Sequence, residues 1–144
     1  MIENNQFENI ENYNPRLCVA SRAMKVQRII SGIFRKHLKG FDLTTPQLSM
    51  LFVLTKGGEK SQKELADKLY LEKSSVNRNI KKLLEKKYIE NVNFPLLGIS
   101  FKGKKLVEEV IPFWQTAMDE CDNILEEDGI AALDLVLNKL TTKQ

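Results

Sequence analysis

The sequence predicts a mainly α-helical fold with one small β-hairpin. Only 4 prolines and 7 glycines occur in 144 residues, so few positions interrupt a helix. Apolar residues recur every three to four positions through most of the chain, which is typical of helices with one buried face. Between residues 88 and 101, β-type residues instead flank a turn. The length fits a single domain with a core of its own.

The N-terminal part predicts an arm followed by a long helix. Residues 1–14 are polar, rich in asparagine and aperiodic, so we expect a loose arm. Pro15 suits the first turn of a helix, and Gly40 is the expected C-cap. Residues 15–40 carry an apolar face that is wider than one small domain covers. This width predicts a dimerisation helix that is buried between two subunits.

Three further helices follow, each with a recognisable start or stop. Thr44 or Thr45 caps the first, and the glycine pair at 57–58 ends it. A capping box at residues 61–64 opens a short second helix. The third helix spans residues 73–87 and has one apolar side. That side consists of Val76, Ile80, Leu83 and Leu84.

A short hairpin follows the third helix. Residues 88–92 form one strand, residues 93–98 a short turn and residues 99–101 the return strand. Residues 41–102 therefore hold three helices and a hairpin. This order is the layout of a winged helix-turn-helix lobe, in which the hairpin is the wing and the lobe binds duplex DNA.

Two helices are predicted after the hairpin. Ser100 caps the first, which runs to about residue 125, and the Asp128-Gly129 pair interrupts the pattern. Residues 130–140 form the last helix, with apolar residues on one side. We expect residues 103–144 to supply C-terminal dimerisation helices.

Charge is distributed unevenly along the chain. Residues 60–105 hold 12 Lys and Arg against 5 Asp and Glu, whereas residues 106–144 hold 2 against 9. A basic middle predicts a surface that faces a polyanion. On charge alone, a solvated lysine-rich face explains the same pattern equally well.

The third helix carries the side chains that a DNA-reading helix needs. Asparagine pairs with adenine and arginine with guanine through two hydrogen bonds each, whereas lysines neutralise phosphates. Helix N-termini also present free N–H groups to phosphates. The candidate DNA-contacting residues are Ser61, Gln62, Lys73, Ser74, Ser75, Asn77, Arg78, Lys81 and Lys82. The alternative roles are a solvated helix face and, for the serines, helix capping.

Five segments resemble the MarR family of bacterial-type transcription regulators. They correspond to the opening of its DNA-binding lobe, its first motif helix, its recognition helix, the turn into its wing and the start of its fifth helix. The resemblance implies an obligate homodimer formed by the N- and C-terminal helices, acting as a repressor on a pseudo-palindromic site. It also implies a cleft near the junction with the DNA lobe for a small apolar or aromatic effector. The segments are residues 43–51, 62–69, 73–83, 86–89 and 100–106.

The wing departs from the family pattern. Family members usually have a longer wing with an Asp-Arg-Arg motif, whose arginine enters the minor groove. Here the turn reads Phe94-Pro95-Leu96-Leu97 and holds no cation, so that contact is not carried over. We expect weaker or less A·T-sensitive DNA binding. The alternative function is a winged-helix module that uses this apolar tip to hold another protein.

Two further groups of residues leave alternatives open. Cys18 lies early in the first long helix, where one branch of the family senses organic hydroperoxides, and a buried or inert thiol is the alternative. Phe113, Trp114 and Met118 fit a dimer core better than a ligand pocket. Cys121 fits helix packing.

Other function classes find little support. The chain has one histidine, no glycine-rich phosphate loop and no clustered metal ligands, so we expect neither an enzyme nor a cofactor nor a metal site. It has no apolar run of about 18 residues and no basic, apolar leader. Its two cysteines are far apart. These features predict a cytoplasmic protein with no membrane partner.

Overall fold

The computed structural model describes residues 6–142 and contains, within them, six α-helices and a three-stranded antiparallel sheet. The prediction of a mainly α fold with a small β wing is confirmed. The helices are α1 (Glu8–Asn12), α2 (Val19–His37), α3 (Thr45–Gly57), α4 (Gln62–Leu69), α5 (Lys73–Glu85) and α6 (Phe101–Thr142). The strands are β1 (Lys60–Ser61), β2 (Ile89–Asn93) and β3 (Leu96–Ile99).

The described part of the predicted arm is not loose throughout. Residues 8–12 form the short, fully exposed helix α1, and residues 1–5 lie outside the described range. Glu8 and Glu11 are in its first turn, where negative charge is favourable. The side chain of Asn12 donates a hydrogen bond to the carbonyl oxygen of Glu8 at 2.9 Å.

The first long helix is shorter than predicted at both ends. Residues 15–17 form a 3₁₀ turn, and the α-helix starts only at Val19, because the extended residue Cys18 is its N-cap. The helix ends at His37, and Gly40 is not its C-cap. Instead, Phe41 donates its N–H to the carbonyl oxygen of Leu38 and closes a turn.

The next three helices follow the sequence signals. Thr44 caps α3 in a capping box with Gln47, and Gly58 ends it with a positive φ of 76°. Ser61 caps α4 in the predicted capping box. The third helix, α5, ends at Glu85 rather than at residue 87. Of its predicted core positions, Val76, Ile80 and Leu83 are buried, and Leu84 is half-buried.

The sheet is larger and its turn tighter than predicted. β3 is the central strand, with β1 on one side and β2 on the other. The return strand therefore begins at Leu96, and only Phe94 and Pro95 connect it to β2. Gly98, expected in the turn, lies within β3, where a Cβ would come 2.7 Å from a methyl group of Val92. Phe101, expected in the return strand, already belongs to α6.

Helix α6 follows β3 and runs towards the C-terminus. Ser100 caps it as predicted, since its Oγ accepts the N–H of Gly103 at 3.0 Å. The helix continues past residue 125, with a break at Glu126, whose φ of 58° and ψ of −177° are not helical. The interruption therefore precedes the Asp128-Gly129 pair, which lies within the helix after the break.

The hydrophobic core joins α3, α4, α5 and the sheet to the first part of α6. Its fully buried side chains include Met50, Leu51, Leu65, Val76 and Leu83. The arrangement fixes α5 on one side of a compact lobe and leaves the other face of α5 exposed. Among residues 6–142, no helix is long and apolar enough to cross a membrane.

Candidate functional site

Helix α5 exposes most of the residues predicted to contact DNA. Its apolar side packs into the core, which fixes the rotation of the helix about its axis. Among the described residues, no exposed member of the set on α5 has a hydrogen-bond or ion-pair partner for its side chain. These exposed members are Lys73, Ser74, Asn77, Arg78, Lys81 and Lys82.

The first turn of α5 is also open to an anion. Glu72 occupies the N-cap position without a side-chain hydrogen bond to the helix, and the first intrahelical bond runs from Val76 N–H to Glu72. The preceding N–H groups, which every helix leaves unpaired, remain available within the described chain. Together with the exposed Lys73, they suit a phosphate oxygen.

Ser61 and Gln62 lie at the start of α4. The Oγ of Ser61 accepts the N–H of Glu64 at 3.1 Å, and the Glu64 carboxylate accepts the N–H of Ser61 at 3.2 Å. The backbone and hydroxyl of Ser61 lower the pKa of the Glu64 carboxyl by hydrogen bonding to its charged form. Ser61 is thus a cap, which leaves its half-buried hydroxyl less free than the exposed side chain of Gln62.

Ser75 is half-buried on α5, and it contacts a residue that the sequence did not single out. The side chain of Asn79 donates to the carbonyl oxygen of Ser75 at 3.0 Å and reaches its Oγ at 3.5 Å. Asn79 is itself buried and accepts a hydrogen bond from Gln47 of α3 at 3.2 Å. The only sequence signal was a polar residue next to the apolar positions Val76 and Ile80 of α5.

A cleft opens between the end of α2, the start of α3 and α6. Its volume is about 530 Å³. Arg35 and Lys39 supply two cations, and neither side chain has an acidic partner among the described residues. Thr44 and Thr45 add hydroxyls, and the remaining walls are apolar: Leu38, Phe41, Leu43, Leu48 and Val110. Such a lining suits a small apolar or aromatic acid.

A second cavity of about 220 Å³ lies beside this cleft, since the two share Leu38, Thr45 and Leu48 in their walls. Trp114 lines the second cavity and packs edge-on against Phe52, with ring centroids 5.6 Å apart. Trp114 therefore packs between α6 and α3 and also lines a cavity.

The two cysteines lie in different environments. Cys18 is exposed in the single chain, and its Sγ accepts the N–H of Ser21 at 3.5 Å. Hydroperoxide sensing by Cys18 stays a prediction. Cys121 is buried, and burial raises the pKa of its thiol. Within residues 6–142, no group of His, Cys, Asp and Glu has the arrangement of a metal site.

An ionic clamp joins the end of α2 to α6. Glu120 of α6 accepts a hydrogen bond from Lys36 Nζ at 2.7 Å and contacts the Nε2 atom of His37 through its other oxygen. The hydrogen bonds from Lys36 and His37 lower the pKa of the Glu120 carboxyl. The clamp holds the cleft-bearing end of α2 against α6.

The comparisons with known proteins agree with this architecture. Residues 41–93 match the model of the MarR family, and this stretch covers α3, α4, α5 and β2. No curated protein matches the chain significantly.

Solved structures match nearly the whole chain at low identity. Bordetella bronchiseptica BpsR, whose DNA binding is regulated by 6-hydroxynicotinic acid, has a TM-score of 0.79 at 21% identity, over 90% of this chain and 96% of its own. The reduced form of MarR from E. coli has a TM-score of 0.69 at 19% identity, over 92% and 98%. NadR in complex with 4-hydroxyphenylacetate has a TM-score of 0.76 at 17% identity, over 87% and 96%.

At these identities the solved structures establish the fold. The family match covers the lobe that carries α5, and the fold similarity extends through the helices on both sides of it. Proteins of this family are DNA-binding regulators rather than enzymes. The chain is therefore similar to the MarR family of winged helix-turn-helix transcriptional regulators, through the family match over residues 41–93 and through the fold over nearly its whole length.

Proposed function

We propose that the protein is a dimeric, ligand-responsive repressor that places α5 of each subunit in successive major grooves of a pseudo-palindromic operator. The observation that carries this proposal is the reading face of α5, where Asn77 and Arg78 are exposed and unpaired beside a buried apolar side. Asn77 suits adenine, and Arg78 suits guanine. Lys73, Lys81 and Lys82 contact phosphates and add affinity with little sequence information.

The other candidate contacts have supporting roles in this proposal. Ser74 and the free N–H groups of the first turn of α5 bind a phosphate. Ser61 and Gln62, at the start of α4, bind the adjacent phosphates, with Ser61 contributing through its backbone more than through its capping hydroxyl. Ser75 supports the reading face from its half-buried position.

The cleft between α2, α3 and α6 is the proposed effector site. Arg35 and Lys39 attract a carboxylate, and the apolar and aromatic walls accept a ring. The acids named with BpsR and NadR combine an aromatic ring with a carboxyl group. We therefore propose small aromatic acids as the effector class, with 4-hydroxyphenylacetate as the first compound to test.

The DNA proposal is tested by fluorescence anisotropy over a salt series, with the duplex upstream of the protein's own gene. Arg78→Ala weakens binding by about 1–3 kcal/mol and relaxes the preference at one base position. Lys81→Ala weakens binding to every sequence and lowers the salt slope by about one. Lys56→Ala, which removes an exposed cation at the end of α3, outside the candidate DNA contacts, is the charge control and leaves both quantities unchanged.

A second candidate function is a protein-interaction module. It is favoured by the tip of the wing, where the side chain of Phe94 is 88% exposed next to Pro95. Salt dependence separates the two functions, because phosphate binding weakens steeply as salt rises and an apolar protein contact does not. If binding is weak and equal for the upstream duplex and for random duplexes, the protein-interaction module is favoured.

A further inference from the structure

Two polar side chains are buried in the core of the lobe, and they bond to each other. Gln47 of α3 is 2% exposed and Asn79 of α5 is 7% exposed. Gln47 Nε2 donates to Asn79 Oδ1 at 3.2 Å, although the two residues are 32 positions apart in the chain. They are the buried polar residues of the described chain, so α3 and α5 share this one polar contact inside an otherwise apolar core.

At one end, the pair is bonded to the wall of the cleft. Thr44 N–H donates to Gln47 Oε1 at 3.2 Å, and Gln47 N–H donates to Thr44 Oγ1 at 3.3 Å. Thr44 also lines the cleft, next to Arg35 and Lys39. An occupant that shifts Thr44 therefore acts directly on the amide group of Gln47.

At the other end, the pair is bonded to the reading part of α5. Asn79 Nδ2 donates to the Ser75 carbonyl oxygen at 3.0 Å. Ser75 is in the first turns of the helix, between Ser74 and Asn77. A continuous series of hydrogen bonds thus runs from the wall of the cleft to the residues proposed to contact DNA.

The middle of this series, the Gln47–Asn79 pair, is buried, so losing a hydrogen bond there is costly. Each amide group of the pair uses its oxygen as an acceptor and its nitrogen as a donor. Among the described residues, no buried side-chain nitrogen or oxygen lacks a hydrogen-bond partner. A buried polar group that loses its partner is costly, and a displaced Thr44 leaves Gln47 to follow it or lose a bond. When Gln47 moves, Asn79 must move with it or lose its bond to Gln47, and the bond from Asn79 to Ser75 passes the same demand to the start of α5.

We propose that Gln47 and Asn79 are positioning residues that transmit the state of the cleft wall to the reading end of α5. The inference rests on the proposed function for its biological meaning, because it supplies the route by which an effector would alter DNA reading. The coupling itself is a property of the unliganded protein, and it is measurable without effector or DNA.

The test is hydrogen exchange at the backbone amides of residues 76–80, measured by NMR on the full chain. Thr44→Val removes the hydroxyl that accepts the backbone N–H of Gln47, and so loosens the residue whose own N–H holds the Gln47 side chain. Thr45→Val is the matched control, since Thr45 lines the same cleft without a side-chain hydrogen bond in the described chain. We expect Thr44→Val to raise the exchange rates of these amides about five-fold. Thr45→Val leaves them within about two-fold, and Thr44→Ser, which keeps the hydroxyl, restores the wild-type rates.

The same substitutions are repeated with the pair removed, in a Gln47→Met and Asn79→Leu background that replaces both partners by apolar side chains of similar size. If this background does not fold, Asn79→Ser replaces it, because serine is too short to reach Gln47. We expect Thr44→Val to have no effect on residues 76–80 in either background. An equal response to Thr44→Val and Thr45→Val, or a Thr44 effect that persists without the pair, would overturn the proposal.

The failure of the proposed function has a different signature. Loss of all sequence-selective DNA binding, with the exchange pattern as expected, rejects the DNA proposal and leaves the positioning role intact. If DNA binding is normal but Thr44→Val changes exchange by the same factor with and without the Gln47–Asn79 pair, the positioning role alone is rejected.

Discussion

Gly103 marks the closest approach between α6 and the base of the wing. A Cβ at this position would overlap the carbonyl oxygen of Tyr88 and lie 2.8 Å from Cγ1 of Ile99. The backbone has little freedom to move away, because Ser100 Oγ accepts the Gly103 N–H and donates to the Lys87 carbonyl oxygen at 2.6 Å. Glycine is required here by space, since its φ is not positive.

We predict that Gly103→Ala lowers the free energy of unfolding by about 1–3 kcal/mol, the usual cost of overpacking. Gly40→Ala is the matched control, because a Cβ there meets no atom within 4 Å and φ is not positive. The control changes stability by less than about 1 kcal/mol, through the entropy of the unfolded chain. Urea denaturation of both variants measures the difference, and equal midpoints would contradict the packing argument.

Glu120 makes the stability of the α2–α6 contact dependent on pH. Its pKa is lowered in the folded protein by hydrogen bonds from Lys36 and His37, so its contribution is present above the ordinary carboxyl pKa. That contribution is lost as pH falls through the lowered folded-state pKa. We predict that the stability difference between wild type and Glu120→Gln shrinks over this acidic range in urea titrations. Glu108→Gln, at an exposed position on the same helix, gives a control, and a pH-independent difference for Glu120→Gln would refute the assignment.

The wing departs from the pattern of the MarR family. Within residues 88–99, Glu90 is the single charged residue, and the tip is Phe94-Pro95. A cation in a narrow minor groove gains from the strong negative potential there, which this tip cannot use. Under the proposed function, DNA affinity therefore depends on α5 and on the start of α4.

We predict that Phe94→Arg tightens binding to operators with A·T-rich flanks and raises the salt slope by about one, because it adds one phosphate-region cation. Phe94→Ala, which removes the ring without adding charge, is the control and leaves the salt slope unchanged. Fluorescence anisotropy over a salt series measures both. Equal dissociation constants and slopes for the two variants would show that the tip does not approach DNA.

Local signals identified most helix starts and the reading face, because they depend on residues close in sequence. The capping boxes Thr44–Gln47 and Ser61–Glu64 are recognisable over four positions. The strand β1 was missed, because its two residues are extended only through pairing with Leu96 and Leu97 of β3. The bond between Gln47 and Asn79 was missed for the same reason, since tertiary packing alone brings α3 and α5 together.

The interruption of α6 shows a different limit. Sequence patterns placed it at Asp128-Gly129, because glycine weakens helices. The structure instead breaks the helix at Glu126, whose backbone has a positive φ, and keeps Gly129 helical. A Cβ at Gly129 would lie 2.9 Å from Cβ of Leu125, so the glycine allows the chain to fold closely over the break.

Two exposed apolar surfaces lie outside α3, α4, α5 and the sheet, near the two ends of the described chain. Every residue from 131 to 140 is exposed, although this segment includes five large apolar side chains: Leu133, Leu135, Val136, Leu137 and Leu140. The start of the chain has the same property, with Leu17, Val19 and Ile29 each more than 60% exposed. Patches of this kind on a protein are typical of interfaces with another chain.

We predict that these two surfaces pack against a second copy of the chain. The resulting dimer would place two α5 helices on one duplex. Leu137→Glu puts a charge in the centre of the C-terminal patch, and we expect monomers by light scattering after size exclusion. Phe94→Glu places the same charge at another exposed apolar position, on the wing, and leaves the dimer intact. Because two half-sites must be bound together, the Leu137→Glu monomer also loses the avidity of the dimer for a full operator, while it keeps its affinity for a half-site. A Leu137→Glu protein that stays dimeric and binds the full operator as the wild type does would remove this surface from the interface.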